Sequence, residues 1–327
     1  MRKSITLSEA HALLRSRDDL RDDGHSERDI RALVAAGRLL RVRRDRYADA
    51  ADFDALWSEG RHLVHVVATH LNSESPGPVF WGPSAAVLHG LPLYRLAPAN
   101  VHTAILGARH GRTRAGTMQH NVEVPADDIV EIDGIRCTSL DRTILDLACT
   151  VAETTATAAS DAAVRGEAVV GHVQDPEYAA AWHARMAERA RLSRAPGIRR
   201  ARWIVDFADG RAQLPGESVS RLHLHRLGYR GVLPQVHVRG SEGDDYWMDF
   251  AFPRSRTFGE FDGRGKYLDD DLRGERTAEQ AVLDEKRRED DVRGVTGWRF
   301  ARWEGRHIAT AETLGRRLAA FGVHPPG

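Results

Sequence analysis

The spacing of apolar positions changes period several times along the last third of the chain. Val219, Leu222 and Leu227 recur at helical intervals after Gly216-Glu217-Ser218, and Gly228 stops that run. LPQVHVR (233–239), YWMDFAF (246–252) and RTFGEFD (256–262) read as three strands. A long polar helix is predicted near Glu275–Arg293, GWRFARW (297–303) reads as a fourth strand, and a closing helix covers about Ala311–Phe321.

The first fifty residues are patterned differently. Thr6 is placed to cap a helix over Leu7–Leu14, with Glu9 as its capping-box partner. Ser26 is placed to cap a second helix, SERDIRALVAAG, with Asp29 at the third position, Ile30, Leu33 and Val34 on one face, and Gly37 as the stop. RLLRVRRDRYA then alternates with the period of a strand or short hairpin. Between these ends, residues 55–192 are Ala-rich. Within them Ser84 is expected to cap a short helix, and Ser139 or Thr138 to cap a helix carrying the opposite charges Arg142 and Asp146 at i, i+4. A connector around Leu192–Gly216, punctuated by Pro196, Gly210 and Pro215, closes this middle stretch.

Composition narrows the class. The 327 residues suit two or three domains, and 42% hydrophobic against 29% charged residues can form a packed core. Lys+Arg and Asp+Glu are both 47, so no uniformly basic coat is present and any nucleic-acid contact must be a local patch. One such patch is the hairpin segment, where Arg38, Arg41, Arg43, Arg44 and Arg46 surround the single acid Asp45; arginines there would hold phosphates without reading sequence. Cys137 and Cys149 fit neither a disulfide framework nor a zinc knuckle and are expected to be reduced in a cytoplasmic protein. No apolar run is long enough to span a bilayer, and the N-terminus lacks the core of a signal peptide. His62 with His65, and His223 with His225, lack a third ligand in sequence, and His89 has no partner acid or nucleophile nearby, so none is taken as a metal or catalytic site.

The acids of the strand region carry the chemistry. Asp249 and Glu260 lie equally far on either side of the turn Pro253–Arg256, so a symmetric hairpin sets them opposite each other, with Cβ atoms about 4.5–5.5 Å apart. Asp262, two residues after Glu260, shares its face with Trp247, Ala251 and Phe258, while Met248, Phe250, Phe252 and Phe261 are assigned to the buried face. Three like charges so close are costly to ionise without a cation. Mg²⁺, or Mn²⁺, held by Asp249, Glu260 and Asp262 would relieve that cost, activate water and stabilise charge on a phosphodiester.

Two resemblances sharpen these expectations. GHSERDIRALVAAGRLLRVRRDRYA, GPSAAVLHGLPL (82–93) and IDGIRCTSLDRTILDLA (132–148) resemble the AbiEi-type antitoxins of type IV toxin–antitoxin systems. That resemblance implies an N-terminal winged helix-turn-helix (1–50) that binds DNA, namely the promoter of its own operon, a mixed α/β middle domain (55–192), and a cognate nucleotidyltransferase toxin as partner. The order α-β-β-β-α-β is that of the restriction-endonuclease core, and GES, MDFAFP, EFDGRGKY and EKRREDDVR…GWRFARW resemble, in that order, a Vsr-like group of the PD-(D/E)xK nucleases (215–327). This second resemblance implies that Glu217 joins Asp249, Glu260 and Asp262 as a site acid. The usual lysine of the E-x-K signature is Asp262 here, which leaves Lys286, on the following helix, or Lys266 to orient water or phosphate; no histidine follows the acids between Phe261 and Arg306. The expectation is therefore an α+β multidomain protein that binds DNA through the hairpin arginines and cleaves it through Glu217, Asp249, Glu260, Asp262 and Lys286. Its rival is a non-enzymatic antitoxin and autorepressor with an inactive nuclease fold.

Overall fold

The computed structural model describes residues 3–105, 115–263 and 278–326. Helices and mixed sheets make it an α+β protein of two compact units: residues 1–159 with 194–201, and residues 160–193 with 202–327. Among the described residues no helix is long and apolar enough to cross a membrane.

The first unit opens with α1 (Leu7–Ala12), α2 (Arg17–Asp22) and α3 (Glu27–Ala35), followed by the antiparallel pair β1 (Leu39–Arg43) and β2 (Arg46–Asp49). Each helix begins with a reciprocal capping box, at Thr6–Glu9, Ser16–Asp19 and Ser26–Asp29. The sequence reading anticipated the first and third; α2, a short helix, has too few apolar positions to declare a period. Leu20, Ile30 and Tyr47 close a small core between these elements. After α4 (Ala50–Asp54) and α5 (Ser58–Leu71), the unit adds β3 (Val79–Phe80), α6 (Pro83–Leu88), β4 (Val101–Ala104), β5 (Thr117–His120), β6 (Ile129–Ile132) and β7 (Ile135–Thr138), forming one five-stranded mixed sheet in the order β5-β4-β3-β7-β6. α7 (Leu140–Thr150) is capped by Ser139, and its Arg142 Nε donates to both oxygens of Asp146 at 3.0 Å.

Ser84 does not cap α6. Gly82, with φ of 54°, takes that position and Pro83 starts the helix, so Ser84 is already inside the first turn. Its buried hydroxyl meets His62 Nε2 at 2.9 Å and accepts the His102 N–H at 2.8 Å. Cys137 and Cys149 are both free thiols, and burial pushes Cys137 up to about 12.

Further along the chain come α8 (Glu153–Ala168), the short pair β8 (Val169–Val170) and β9 (Val173–Gln174), α9 (Pro176–Leu192) and α10 (Ile198–Phe207). The connector expected around Leu192–Gly216 therefore contains a helix. Its Ala201, Ile204 and Val205 are buried, because Pro196 and Pro215 fall outside it and leave an uninterrupted amphipathic run.

The sheet of the second unit follows α11 (Pro215–Arg226). It comprises β10 (Leu233–Arg239), β11 (Asp245–Phe252), β12 (Thr257–Asp262) and β13 (Arg299–Glu304), in the order β10-β11-β12-β13. The first three strands are antiparallel, and β13, reached through α12 (Ala278–Thr296), runs parallel to β12. α13 (Ala311–Ala319) closes the unit. One side of the sheet packs on α11, where Trp303 donates its indole N–H to Ser220 at 2.8 Å and the Phe261 ring fills the space above Gly216. Val292 of α12 joins Val238, Met248, Ala251, Phe258 and Phe300 on the other.

The side of the sheet that bears Asp249 and Glu260 was expected to face water, but it is buried. Every residue from Met248 to Phe252 and from Thr257 to Phe261 is buried, since a helix covers each side. Met248 also packs with Ala251 and Phe258 rather than away from them. The strict alternation fails next to Gln235, level with Asp249 on the neighbouring strand, which adopts a left-handed φ of 48°.

Candidate functional site

The hairpin register places the two central acids. Phe250 pairs with Gly259, Ala251 with Phe258 and Phe252 with Thr257, and continuing that register by one residue sets Asp249 opposite Glu260. The turn between them is a single 3-10 stretch, Pro253–Ser255, closed by Arg256 with φ of 47°. Asp249 Oδ2 accepts the backbone N–H of Phe261 at 2.8 Å. Both acids are buried, at 6% and 8% exposure. Burial first, and then the charge of Asp249, push the Glu260 carboxyl well above the usual carboxylate range. Glu260 Oε1 is buried with no hydrogen-bond partner among the described residues.

Glu260 Oε2 is occupied. Arg288, on α12, donates to it from Nη2 at 3.0 Å and grips Glu285 with two bonds, Nη2 to Oε1 at 2.8 Å and Nε to Oε2 at 3.1 Å. Arg302 sits beside Glu260 in the parallel register of β12 and β13. Its Nη2 donates to Glu285 Oε1 and to Glu289 Oε2, the latter at 2.8 Å, and its Nη1 lies 4.0 Å from Asp262 Oδ2. Burial opposes charge on both guanidiniums, yet the surrounding carboxylates hold both above their ordinary range. Glu285 is held low by the same two arginines despite its burial.

The remaining candidates are placed as follows. Glu217, on α11, is 1% exposed, and its Oε2 accepts from Gln213 N at 2.9 Å and from Gln235 Nε2 at 3.2 Å. Gln235 thus ties Glu217 to the strand position level with Asp249. Asp262 is half-buried toward Arg302, and Lys286 is exposed on α12. Lys266 lies outside the described residues, as does the start of the polar helix expected from Glu275. The structure therefore brings Asp249 and Glu260 together, with Asp262 at their edge. Among the described residues, no group of three or more His, Cys, Asp or Glu is placed to hold a metal ion. Two carboxylates with an orphaned buried oxygen do fit one Mg²⁺ or Mn²⁺, which keeps most of its waters and needs only one or two protein carboxylates.

Sequence reasoning missed Arg288, Arg302, Glu285 and Glu289. Glu285, Arg288 and Glu289 stand at helical i, i+3, i+4 spacing, a visible signal. The neighbourhood of Arg302 depends on the parallel pairing, which no local pattern discloses.

At the basic hairpin, Arg38, Arg41 and Arg44 are exposed. Arg43 instead donates to the carbonyls of Ala115 and Gly116, at 2.9 and 2.5 Å, and Arg46 donates to Asn72 Oδ1 at 3.2 Å and to the Leu71 carbonyl at 3.5 Å. Between α3 and the hairpin a groove of about 540 Å³ is lined by Arg17, Arg31, Arg41 and Glu27 among others. Arg28 and Arg31 are exposed on α3.

No model of a known protein family matches the chain, and no curated protein matches it.

Proposed function

We propose that the second unit is a divalent-cation-dependent phosphodiesterase of the restriction-endonuclease type acting on DNA, and that the three helices and hairpin of the first unit bind DNA as a winged helix. The observation that carries the hydrolytic reading is the buried Asp249–Glu260 pair, in which Glu260 Oε1 has no hydrogen-bond partner among the described residues. Asp249 and Glu260 hold the ion; Asp262 and Glu217 flank the pair. When bound, the ion would supply a more acidic water and neutralise charge growing on the phosphoryl oxygens. The chain's own part is to exclude bulk water by burying both acids, to fix Asp249 through the Phe261 amide, and to keep Glu217 in place through Gln213 and Gln235. The exposed Arg38, Arg41 and Arg44 support phosphate contact in the first unit. The test is cleavage of plasmid DNA with Mg²⁺ or Mn²⁺ by wild type, Asp249→Ala and Glu260→Ala. Loss of activity in both variants is expected, and equal activity in all three proteins would remove the acids from the chemistry.

A second reading draws on the same site. Arg288 and Arg302 already neutralise acids around Glu260, and among the described residues no third acid joins Asp249 and Glu260 in a metal-holding group, as suits a nuclease fold kept for binding within an AbiEi-like antitoxin and autorepressor. Promoter binding by a protein that binds no Mg²⁺ or Mn²⁺ in calorimetry would favour it, as would a nucleotidyltransferase toxin encoded next door.

A further inference from the structure

We propose that Arg288 is a displaceable counter-cation of the Asp249–Glu260 pair. It holds Glu260 Oε2, competes with a divalent ion on Oε1 for the charge of the carboxylate and, once displaced, contacts a phosphodiester oxygen. This inference rests on the metal-dependent reading above and assigns the positive group missing where Asp262 replaces the signature lysine.

Three features of the guanidinium support the assignment. Its contact with Glu260 is a single bond from Nη2 at 3.0 Å, whereas its hold on Glu285 is a two-bond fork. Breaking the first therefore leaves Arg288 anchored by the second, and a short pivot about Glu285 follows instead of release into water. Glu285 is itself gripped by Arg302, and Arg302 also binds Glu289, so the pivot point is fixed. Finally, among the described residues the one acceptor that Nη1 meets is the Met248 thioether, at 4.0 Å. Sulfur is a weak acceptor, so the two N–H groups of Nη1 are largely unspent; Met248 is itself fully buried, so they meet a phosphate oxygen only once the guanidinium pivots outward.

Charge favours the exchange. Asp249 and Glu260 stand opposite each other, both buried, and Arg288 meets Glu260 through an Nη2 that it shares with Glu285. A divalent ion seated against Glu260 Oε1, which has no partner among the described residues, places two charges against the pair where Arg288 places a share of one. Lys286, which is exposed, makes no such contact with Glu260.

The test uses the full chain as wild type, Arg288→Met and Arg288→Lys, with Mn²⁺ affinity read by calorimetry and cleavage of DNA read separately. Arg288→Met should bind Mn²⁺ about tenfold more tightly and cleave at least tenfold more slowly, with Arg288→Lys between wild type and Arg288→Met in both. Circular dichroism and melting of each variant, with Arg288→Lys keeping the charge, separate these effects from misfolding. Wild type and both variants binding Mn²⁺ equally would overturn the competition while leaving the metal site standing. Tighter binding with undiminished cleavage would overturn the phosphate contact. Absence of Mn²⁺ binding in every protein would overturn the metal-dependent reading itself, and the inference with it.

Discussion

Arg43 is half-buried and donates from both terminal nitrogens to the consecutive carbonyls of Ala115 and Gly116. The hairpin arginines thus divide into two chemical classes. Arg43→Ala is expected to lower the stability of the first unit by about 2 kcal/mol, through lost charged hydrogen bonds to carbonyls, with denaturant unfolding as the measurement.

The double variant Arg41→Ala/Arg44→Ala should do the reverse. Both side chains are exposed, so stability should stay within about 0.5 kcal/mol. Affinity for duplex DNA should fall on every sequence, and the slope of log affinity against log salt should flatten by about two. An unchanged slope in a fluorescence titration would withdraw the phosphate contacts.

Asp249→Asn keeps the shape and an acceptor for the Phe261 amide while removing the charge that raises Glu260. The variant should melt no lower than wild type and should bind Mn²⁺ at least tenfold more weakly. A clear drop in melting temperature would make Asp249 chiefly a structural anchor.

Gly259 immediately precedes Glu260, and a Cβ there would lie 2.6 Å from the Trp303 ring and 2.9 Å from that of Phe252. Both rings are buried, so neither can yield cheaply. Gly259→Ala should cost about 2 kcal/mol by overpacking and should weaken ion binding by moving Glu260. Chemical denaturation alongside calorimetry checks both.

The first unit should be acid-sensitive. Burial, and then the neighbouring imidazoles of His102 and His65 and the Arg43 guanidinium, push His62 down to about 3 from an ordinary value near 6.5, so it is neutral when folded. Unfolded chains take up the proton first. Stability is therefore fully present above pH 6.5 and declines as pH falls from there toward 3, by roughly 2 kcal/mol at pH 5. Melting curves at pH 7 and pH 5 should differ less in His62→Gln than in wild type.

What the sequence disclosed follows the range of the interactions. The Thr6 and Ser26 caps, the Arg142–Asp146 pair and the hairpin that faces Asp249 with Glu260 all lie within twelve residues of chain, where spacing alone fixes geometry. The buried state of both sheet sides was not legible, because it depends on two helices arriving from elsewhere in the chain. Ser84 misled because a hydroxyl near a helix start reads as a cap, and only the left-handed Gly82 beside Pro83 moves the start two residues earlier. Arg43 and Arg288 share a lesson: in a cluster of arginines, sequence gives the charge but not the few that are committed to a carbonyl or a carboxylate.

The order in which the chain visits its two units limits how the protein can be dissected. Residues 194–201 belong with the first unit, while the stretches on both sides, 160–193 and 202–327, belong with the second. Arg200 donates to the Ala148 carbonyl at 2.9 Å, and Gly197 lies so close to the Cys149 backbone that a Cβ there would sit 2.5 Å from its carbonyl oxygen. Ending a recombinant fragment at residue 159 removes this clasp from the first unit, and starting one at residue 202 deprives the second of residues 160–193. No single scission yields two self-sufficient pieces, so loss or exchange of either half by simple gene truncation is disfavoured.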